Sequence, residues 1–364
     1  MFKKKILVLM KRFGSNKDMV KENFGREIRL FEQLSRKYDI DFLCFDYRKK
    51  QIFNLRRSNM NFFVVPASFL NPFAMLGTMN GMMRNNKYNV VVPTTEPILG
   101  IIGYCFAKIY EIPIIYEVQD NYEIYDSYKI PFVRFFDYKV IKNADYVFFS
   151  NYPLMEKHKF LRNKKIEIIE NGIDLKFFRI LPKKNARASL RLDQNIKLIT
   201  YTGSISKDRG LDLLIDAVGE LAKDDKKVHL LLSGKVDESI NINKPWVIFR
   251  EFPKREQIVE ALNASDLLVL ASTDNPFTRY SFPQKLFEYM SVNVSIVATE
   301  VGDVIRILKP FKGSLCKPNN IKELKSKILL QMKRKNINYR KIAMDYTWEN
   351  LSKKLDNMIV QVTK

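Results

Sequence analysis

Histidine is almost missing from this chain: His158 and His229 are the only two in 364 residues. That leaves too few imidazoles for a histidine-built metal centre. Cysteine is scarce as well. Cys44, Cys105 and Cys316 lie far apart with no Cys-x-x-Cys spacing, so neither a disulfide framework nor a thiolate zinc site is expected, and a reducing compartment fits. Long hydrophobic runs are lacking. Ile6 to Met10 is too short for a signal-peptide core and stops at Lys11-Arg12; Pro97 to Ala107, the longest apolar stretch, stops at Lys108, well short of the roughly 20 residues that span a bilayer. The chain is therefore expected in the cytoplasm, where it could still lie peripherally on the inner face of the cell membrane. Acid is also in short supply. Lys plus Arg number 62 against 40 Asp plus Glu, a net charge of +22. Such an excess attracts anions: nucleic acid, an anionic membrane surface or phosphorylated substrates. No helix-turn-helix, RNP or zinc pattern accompanies it, so nucleic acid is not an expected partner.

What is present is a two-part α/β pattern. The length suits two domains, and an apolar fraction of 46% can fill two cores. Short apolar runs at 6–10, 42–45, 62–65, 90–92, 114–116 and 146–149 read as strands, with helical spacing at 21–37, 70–84 and 98–110. The pattern restarts after Asn171-Gly172. Strands are predicted at 198–201, 228–232, 267–270 and 294–298, with helices at 211–221, 258–263, 284–291 and 321–332. Buried strands alternating with helices argue for parallel sheets covered on both faces. The joint is expected near 165–195, where Pro182 and a basic run (Lys183, Lys184, Arg187, Arg191) follow the Asn-Gly. Ligands of open α/β sheets bind beyond the carboxyl ends of the strands.

Two stretches could carry chemistry. In the first, a strand ends at Tyr201-Thr202, Gly203-Ser204 follow, and a helix begins near Leu211. A glycine admits close approach of a ligand to the backbone, a helix N-terminus favours phosphate, and Lys207 and Arg209 add full charges. An ordinary strand-to-helix loop with solvated lysines would read the same. In the second, Ser281 could cap a helix with Pro283 in its first turn. That helix carries Lys285 and, one turn on, Glu288. A carboxylate there can accept two hydrogen bonds from a sugar diol, and the lysine can reach phosphate or pair with the glutamate. An amphipathic helix with solvated charges is the alternative.

Taken together, these stretches resemble the carboxyl-terminal half of glycosyltransferase family 4, the glycosyl transferases group 1. Pro283-Gln284-Lys285-Leu286-Phe287-Glu288-Tyr289-Met290 resembles its P-x-K-x-x-E-Y-M segment. Gly203-Ser204 with Arg209-Gly210 is similar to its phosphate loop, Glu170-Asn171-Gly172-Ile173-Asp174 to its P-N-G-V-D segment, and Thr347-Trp348-Glu349 to its closing S-W-E helix. The matches keep the family's order across about 168 to 355. The resemblance implies a GT-B fold: two Rossmann-like, doubly wound parallel-sheet domains facing a central cleft. Residues 1–165 would form the acceptor side and 170–345 the donor side, with 346–364 returning to the first domain. It implies transfer from a nucleotide-sugar donor to a glycan or lipid-linked acceptor, with retention, and with neither a cofactor nor an essential metal. Donor binding would fall to Gly203, Ser204, Arg209, Tyr280, Ser281, Phe282, Lys285, Leu286 and Glu288, the glutamate holding the ribose.

Three positions depart from the pattern. Tyr280 stands where the family's E-x7-E pair has its first glutamate, and Ser204 where its phosphate loop often has a cation. Gln119 stands for the histidine of E-x-H-D within Glu117-Val118-Gln119-Asp120, where Gln119 and Asp120 are the catalytic candidates. A non-catalytic GT-B-like subunit that binds a sugar or a partner is the competing reading. Three further segments attract interest. The loop after the first strand, with Gly14, Ser15 and Asn16, lies where an acceptor could bind. Residues 129–143 interleave Phe132, Phe135, Phe136 and Tyr138 with Lys129, Arg134, Lys139 and Lys142. That pattern suits either a membrane interface or a helix packed on the sheet, and the Met-rich stretch 73–83 raises the same question.

Overall fold

A computed structural model describes residues 3–14, 17–68, 73–334 and 338–364. The chain forms two compact units, Met1–Gly172 with Trp348–Lys364, and Ile173–Thr347.

In the first unit the strands are β1 (Lys5–Lys11), β2 (Phe13–Gly14), β3 (Lys17–Asp18), β4 (Asp39–Asp46), β5 (Phe53–Arg57), β6 (Met60–Pro66), β7 (Val90–Pro93), β8 (Ile115–Val118), β9 (Tyr146–Phe149) and β10 (Ile166–Ile168). The helices are α1 (Arg26–Leu34), α2 (Phe73–Asn85), α3 (Pro97–Ile109), α4 (Val133–Asn143) and α5 (Tyr152–His158). Strands β5-β6-β4-β1-β7 form one sheet and β10-β9-β8 another, linked by a bridge from Val91 to Ile114. All these pairings are parallel except β5 with β6. β1 runs through the middle, and Ile6 to Met10 are fully buried, which is why the run is apolar without alternation. β5 was not evident in the sequence, because an edge strand with one wet face needs few apolar residues: Asn54 and Arg56 point to water. α1 starts later than its periodicity suggests, at Gly25, whose φ of 120° only glycine adopts readily. In α2, Met75, Met79 and Met83 recur at helical spacing and are buried, so the Met-rich stretch serves the core.

The second unit contains β11 (Lys197–Thr202), β12 (Val228–Ser233), β13 (Val247–Phe249), β14 (Leu267–Leu270), β15 (Ile296–Thr299) and β16 (Leu315–Cys316). Its helices are α6 (Lys183–Ser189), α7 (Leu211–Asp224), α8 (Arg255–Ala264), α9 (Pro276–Tyr280), α10 (Gln284–Val292), α11 (Asp303–Leu308), α12 (Ile321–Met332) and α13 (Tyr339–Ala343). The order β13-β12-β11-β14-β15-β16, all parallel, is that of a dinucleotide-binding sheet, with its switch point beside β11. The boundary between the units, at Gly172–Ile173, falls within the expected stretch 165–195, and the basic run of that stretch forms α6 of this unit. Arg187 is buried there, paired with Asp266 at 2.8 Å and donating to the carbonyls of Ala264 and Gln194. Spacing alone cannot show that a lysine-rich segment hides an arginine used as a carbonyl clamp.

The last helix, α14 (Trp348–Val362), belongs to the first unit. Leu351, Leu355, Met358 and Ile359 join the core around Ile28 and Phe31, and Ser352 Oγ donates to Leu30 O at 2.8 Å. The Trp348 ring lies so close over Gly172 that a Cβ there would stand 2.3 Å from it. The Asn-Gly and Trp-Glu segments, 176 residues apart (348 − 172), thus meet in space.

Candidate functional site

In the second unit the site is built at the carboxyl ends of β11 and β14. After Thr202 the chain turns at Gly203, whose φ is +136° and whose N–H donates to Ser233 O at 2.7 Å. Ser204 is exposed, and its carbonyl accepts from the Tyr201 hydroxyl at 3.0 Å. A single turn, Lys207–Arg209, leads through left-handed Gly210 (φ +64°) into the fourteen-residue α7, whose N-terminus carries the partial positive charge of the helix dipole. The second loop is tied to the first: Thr273 donates to Asp208 O from its main chain at 3.3 Å and from its hydroxyl at 2.9 Å.

α10 then delivers Lys285 and Glu288. The Lys285 side chain passes over Gly203: its Cε would lie 2.1 Å from a Cβ at that position and its Nζ 2.7 Å. Burial pulls the Lys285 ammonium below the usual lysine range, opposed by Glu288 and assisted by Arg209. Burial likewise lifts the Glu288 carboxyl, with Lys285 and Arg255 opposing. Arg209 sits over the Phe277 ring at 4.9 Å. Among the described residues, the side chains of Arg209, Lys285 and Glu288 make no hydrogen bond or ion pair with the protein, although each is partly withdrawn from water. Charged groups so placed normally have partners.

The remaining residues expected here divide. Phe282 stacks on Phe287 with centroids 5.0 Å apart, and Tyr280 is half-buried beside Arg279, which pairs with Asp274 at 2.8 Å. Two expectations need correction. Ser281 does not cap α10: its hydroxyl donates back to Phe277 O at 2.5 Å and closes α9, and Pro283 itself precedes α10. Leu286 is fully buried in the core with its N–H bonded to Pro283 O at 2.9 Å, so its side chain packs and does not line the site.

In the first unit, Gln119 and Asp120 follow β8. The Gln119 main chain is fixed by Tyr122 (N–H to Oη, 3.3 Å) and by Ser150 (Oγ to Gln119 O, 2.5 Å), and its side-chain amide is unbonded among the described residues. Asp120 accepts from the Tyr125 hydroxyl at 2.7 Å. Two neighbours escaped the sequence reading, which had only their helical spacing to go on. Arg26 is buried, pairs with Glu117 at 2.5 Å, and donates to the carbonyls of Glu170 and Ile169 and to Asn171 Oδ1. Glu27 is buried beside it with one carboxyl oxygen unpartnered. Burial first, then the charges of Glu117 and Asp120, push its carboxyl up to about 7.

Gly14 pairs with Lys17 in the short β2–β3 hairpin; Ser15 and Asn16 lie outside the described residues. A cavity of about 270 Å³ opens at the carboxyl ends of β1, β4 and β7, lined by Lys11, Phe13, Phe45, Tyr47, Arg48, Glu96 and Ile98. That is this sheet's switch point, flanking β1.

Two Rossmann-like units with these sheet orders have the GT-B fold. Over 99% of both chains the fold matches sucrose-phosphate synthase from Thermosynechococcus elongatus, with a TM-score of 0.72 at 15% identity. It also matches Anabaena HepE solved in complex with UDP, over 98% of this chain and 100% of that one, with a TM-score of 0.73 at 17% identity. Residues 182–346, within the second unit, match the model of the family described as glycosyl transferases group 1. Over 152 residues it is 34% identical to the D-inositol 3-phosphate glycosyltransferase of Segniliparus rotundus, a match taking in 38% of this chain and 32% of that protein. TuaC of Bacillus subtilis, named for teichuronic acid biosynthesis, is 24% identical over 188 residues, 51% of this chain and 46% of that one. The chain thus matches less than half the length of each of these sequence relatives.

Proposed function

We propose that the chain is a glycosyltransferase that binds a nucleoside diphosphate sugar at the β11–α7 and α10 site and transfers the sugar, with retention, to a glycan or lipid-linked acceptor. The observation that supports this most is the set of three charges, Arg209, Lys285 and Glu288, near Gly203, whose side chains make no hydrogen bond or ion pair among the described residues. Two cations and a helix N-terminus suit a diphosphate, and one carboxylate beside them suits a ribose diol. In transfer, the acceptor oxygen forms a bond to the anomeric carbon while that carbon's bond to the diphosphate oxygen breaks. The charge left on the diphosphate is stabilised by Arg209, Lys285 and the α7 N–H groups, and the acceptor proton leaves with it. No protein nucleophile is needed in this scheme. The test is release of nucleoside diphosphate from UDP-glucose and related sugars, UDP being the first nucleotide to try because HepE was solved with it. Slow, saturable release supports an enzyme; binding without any turnover favours the sugar-binding subunit, a reading to which Gln119 and Tyr280 lend weight.

The first unit is further proposed to rest on an anionic membrane surface. Phe132, Phe135 and Phe136 are 73%, 54% and 46% exposed, because α4 turns Val133, Asp137, Val140 and Ile141 to the core instead. Lys129, Arg134 and Lys139 flank them, Lys139 lying 4.6 Å over the Phe135 ring. Aromatics ringed by cations suit the headgroup boundary. No helix among the described residues is long and apolar enough to cross a membrane.

A further inference from the structure

Beside Lys285 and Glu288, α10 turns a third side chain to the loop after β11. Tyr289 follows Lys285 by four residues and so shares its face of the helix. Its side chain is fully buried, and its hydroxyl accepts from the main-chain N–H of Thr202 at 3.2 Å. A second tyrosine reaches the same turn from β11. Tyr201 is 2% exposed and donates through its hydroxyl to Ser204 O at 3.0 Å, closing the turn across Gly203. Lys285 Cε, Lys285 Nζ and Tyr201 Oη crowd one point: a Cβ at Gly203 would stand 2.1, 2.7 and 3.2 Å from them. Burial pushes the Tyr201 phenol up to about 12, with Arg209 opposing, and raises the Tyr289 phenol as well, so both are neutral hydrogen-bonding groups at physiological pH.

The rest of the turn is bonded main chain to main chain. Gly203 N–H donates to Ser233 O at 2.7 Å, and Ile205 N–H to Lys235 O at 2.8 Å. Gly203 O lies so close to Gly234 that a Cβ there would stand 2.0 Å from it. Between these two bonded neighbours, the Ser204 N–H makes no hydrogen bond among the described residues. A main-chain donor without a protein partner suits an anion where the side chain, as at Ser204, brings no charge.

From this we infer that Tyr201 and Tyr289 are positioning residues of the donor site. Tyr289 ties α10, and with it Lys285 and Glu288, to the main chain of the β11 loop. Tyr201 holds the Gly203–Ser204 turn so that the Ser204 N–H and the Lys285 ammonium serve one diphosphate. Phenylalanine would fill either space without burying a hydroxyl; here both hydroxyls are spent on the main chain of one short stretch, Thr202 to Ser204. The turn is set before a ligand arrives, so binding has little to order. The inference rests on the proposed donor reading.

The test is calorimetric titration of UDP beside uridine, and of GDP beside guanosine, into the full chain and into Tyr289→Phe and Tyr201→Phe. Each variant keeps its ring and loses its hydroxyl, a change small enough to leave the chain folded. Tyr339→Phe is the control, since that phenol is also fully buried in the second unit but bonds Ser314 Oγ at 2.8 Å. Thermal melts accompany all three. The diphosphate that wild type binds is expected to bind Tyr289→Phe and Tyr201→Phe roughly threefold to tenfold more weakly, the worth of one neutral hydrogen bond, while its nucleoside changes by less than about twofold. Tyr339→Phe should change neither. Parallel loss of diphosphate and nucleoside, a loss of the same size in Tyr339→Phe, or unchanged diphosphate affinity in both tyrosine variants overturns the inference. A loss in one variant alone keeps the assignment for that tyrosine and removes it for the other. Wild type that binds neither diphosphate removes the donor reading and this inference with it, an outcome distinct from binding that both variants retain.

Discussion

The aliphatic chain of Lys285 crosses directly over Gly203, where a Cβ would come within 2.1 Å of its Cε. The glycine also holds a φ of +136°, which other residues rarely adopt. Gly203→Ala therefore has to displace the lysine and strain the loop, at a cost of order 1–3 kcal/mol. The variant should fold with a modestly lower unfolding midpoint and bind UDP at least about tenfold more weakly, since 1.4 kcal/mol is a factor of ten. Calorimetry beside a thermal melt checks it; unaltered UDP affinity would show that Lys285 does not need its present path.

Among the described residues the Arg209 side chain makes no hydrogen bond or ion pair, and it stands at the entrance to α7. Arg209→Ala should weaken UDP by roughly 1.5–3 kcal/mol, the range of a hydrogen bond to a charged group, yet leave uridine nearly unaffected. Equal losses for both ligands would make the residue structural. Unfolding midpoints are expected to agree within error, because Phe277 beneath it is itself exposed.

How far the sequence foretold this site depends on what each residue does. The strands flanking it were legible because both faces are buried, and the loops because glycine and proline interrupt them. Gly203, Arg209, Lys285 and Glu288 were singled out from their spacing, and the fold brings them round one loop. Ser281 and Leu286 were grouped with them because a segment's resemblance does not say which way each side chain points. Arg26 and Glu27 stayed hidden for another reason. In sequence they are ordinary helix charges, and only the folded unit brings them to Glu117 and Asp120.

Glu27 gives a pH signature. Its carboxyl is raised from 4.5 to about 7, so the folded state favours the protonated form. The associated stability is fully present below about pH 4.5 and is lost as pH rises through about 7. Over that window wild type should lose on the order of 2–3 kcal/mol relative to Glu27→Gln, which carries no ionisable group there. Urea denaturation at pH 5 and pH 8 measures it. Parallel curves for the two proteins would mean that Glu27 finds a partner when ionised.

The exposed aromatics of α4 offer a contrast with buried ones. Phe135→Ser/Phe136→Ser should leave the melting temperature within about 1–2 °C, since surface substitutions usually stay within ±0.5 kcal/mol. Sedimentation with anionic vesicles should fall severalfold, and wild-type sedimentation should weaken with salt as the Debye length shortens. Wild type that ignores anionic vesicles at low salt would remove the membrane from the account.

The central claim is that a nucleoside diphosphate sugar binds at Gly203, Arg209, Lys285 and Glu288, and the most direct measurement is titration of UDP and GDP into wild type and Glu288→Ala. Saturable binding of one of them at one site per chain, weakened in the variant by about 1.5–3 kcal/mol with the fold intact, is the predicted result. Binding of neither nucleotide, or an affinity identical in Glu288→Ala, would contradict it.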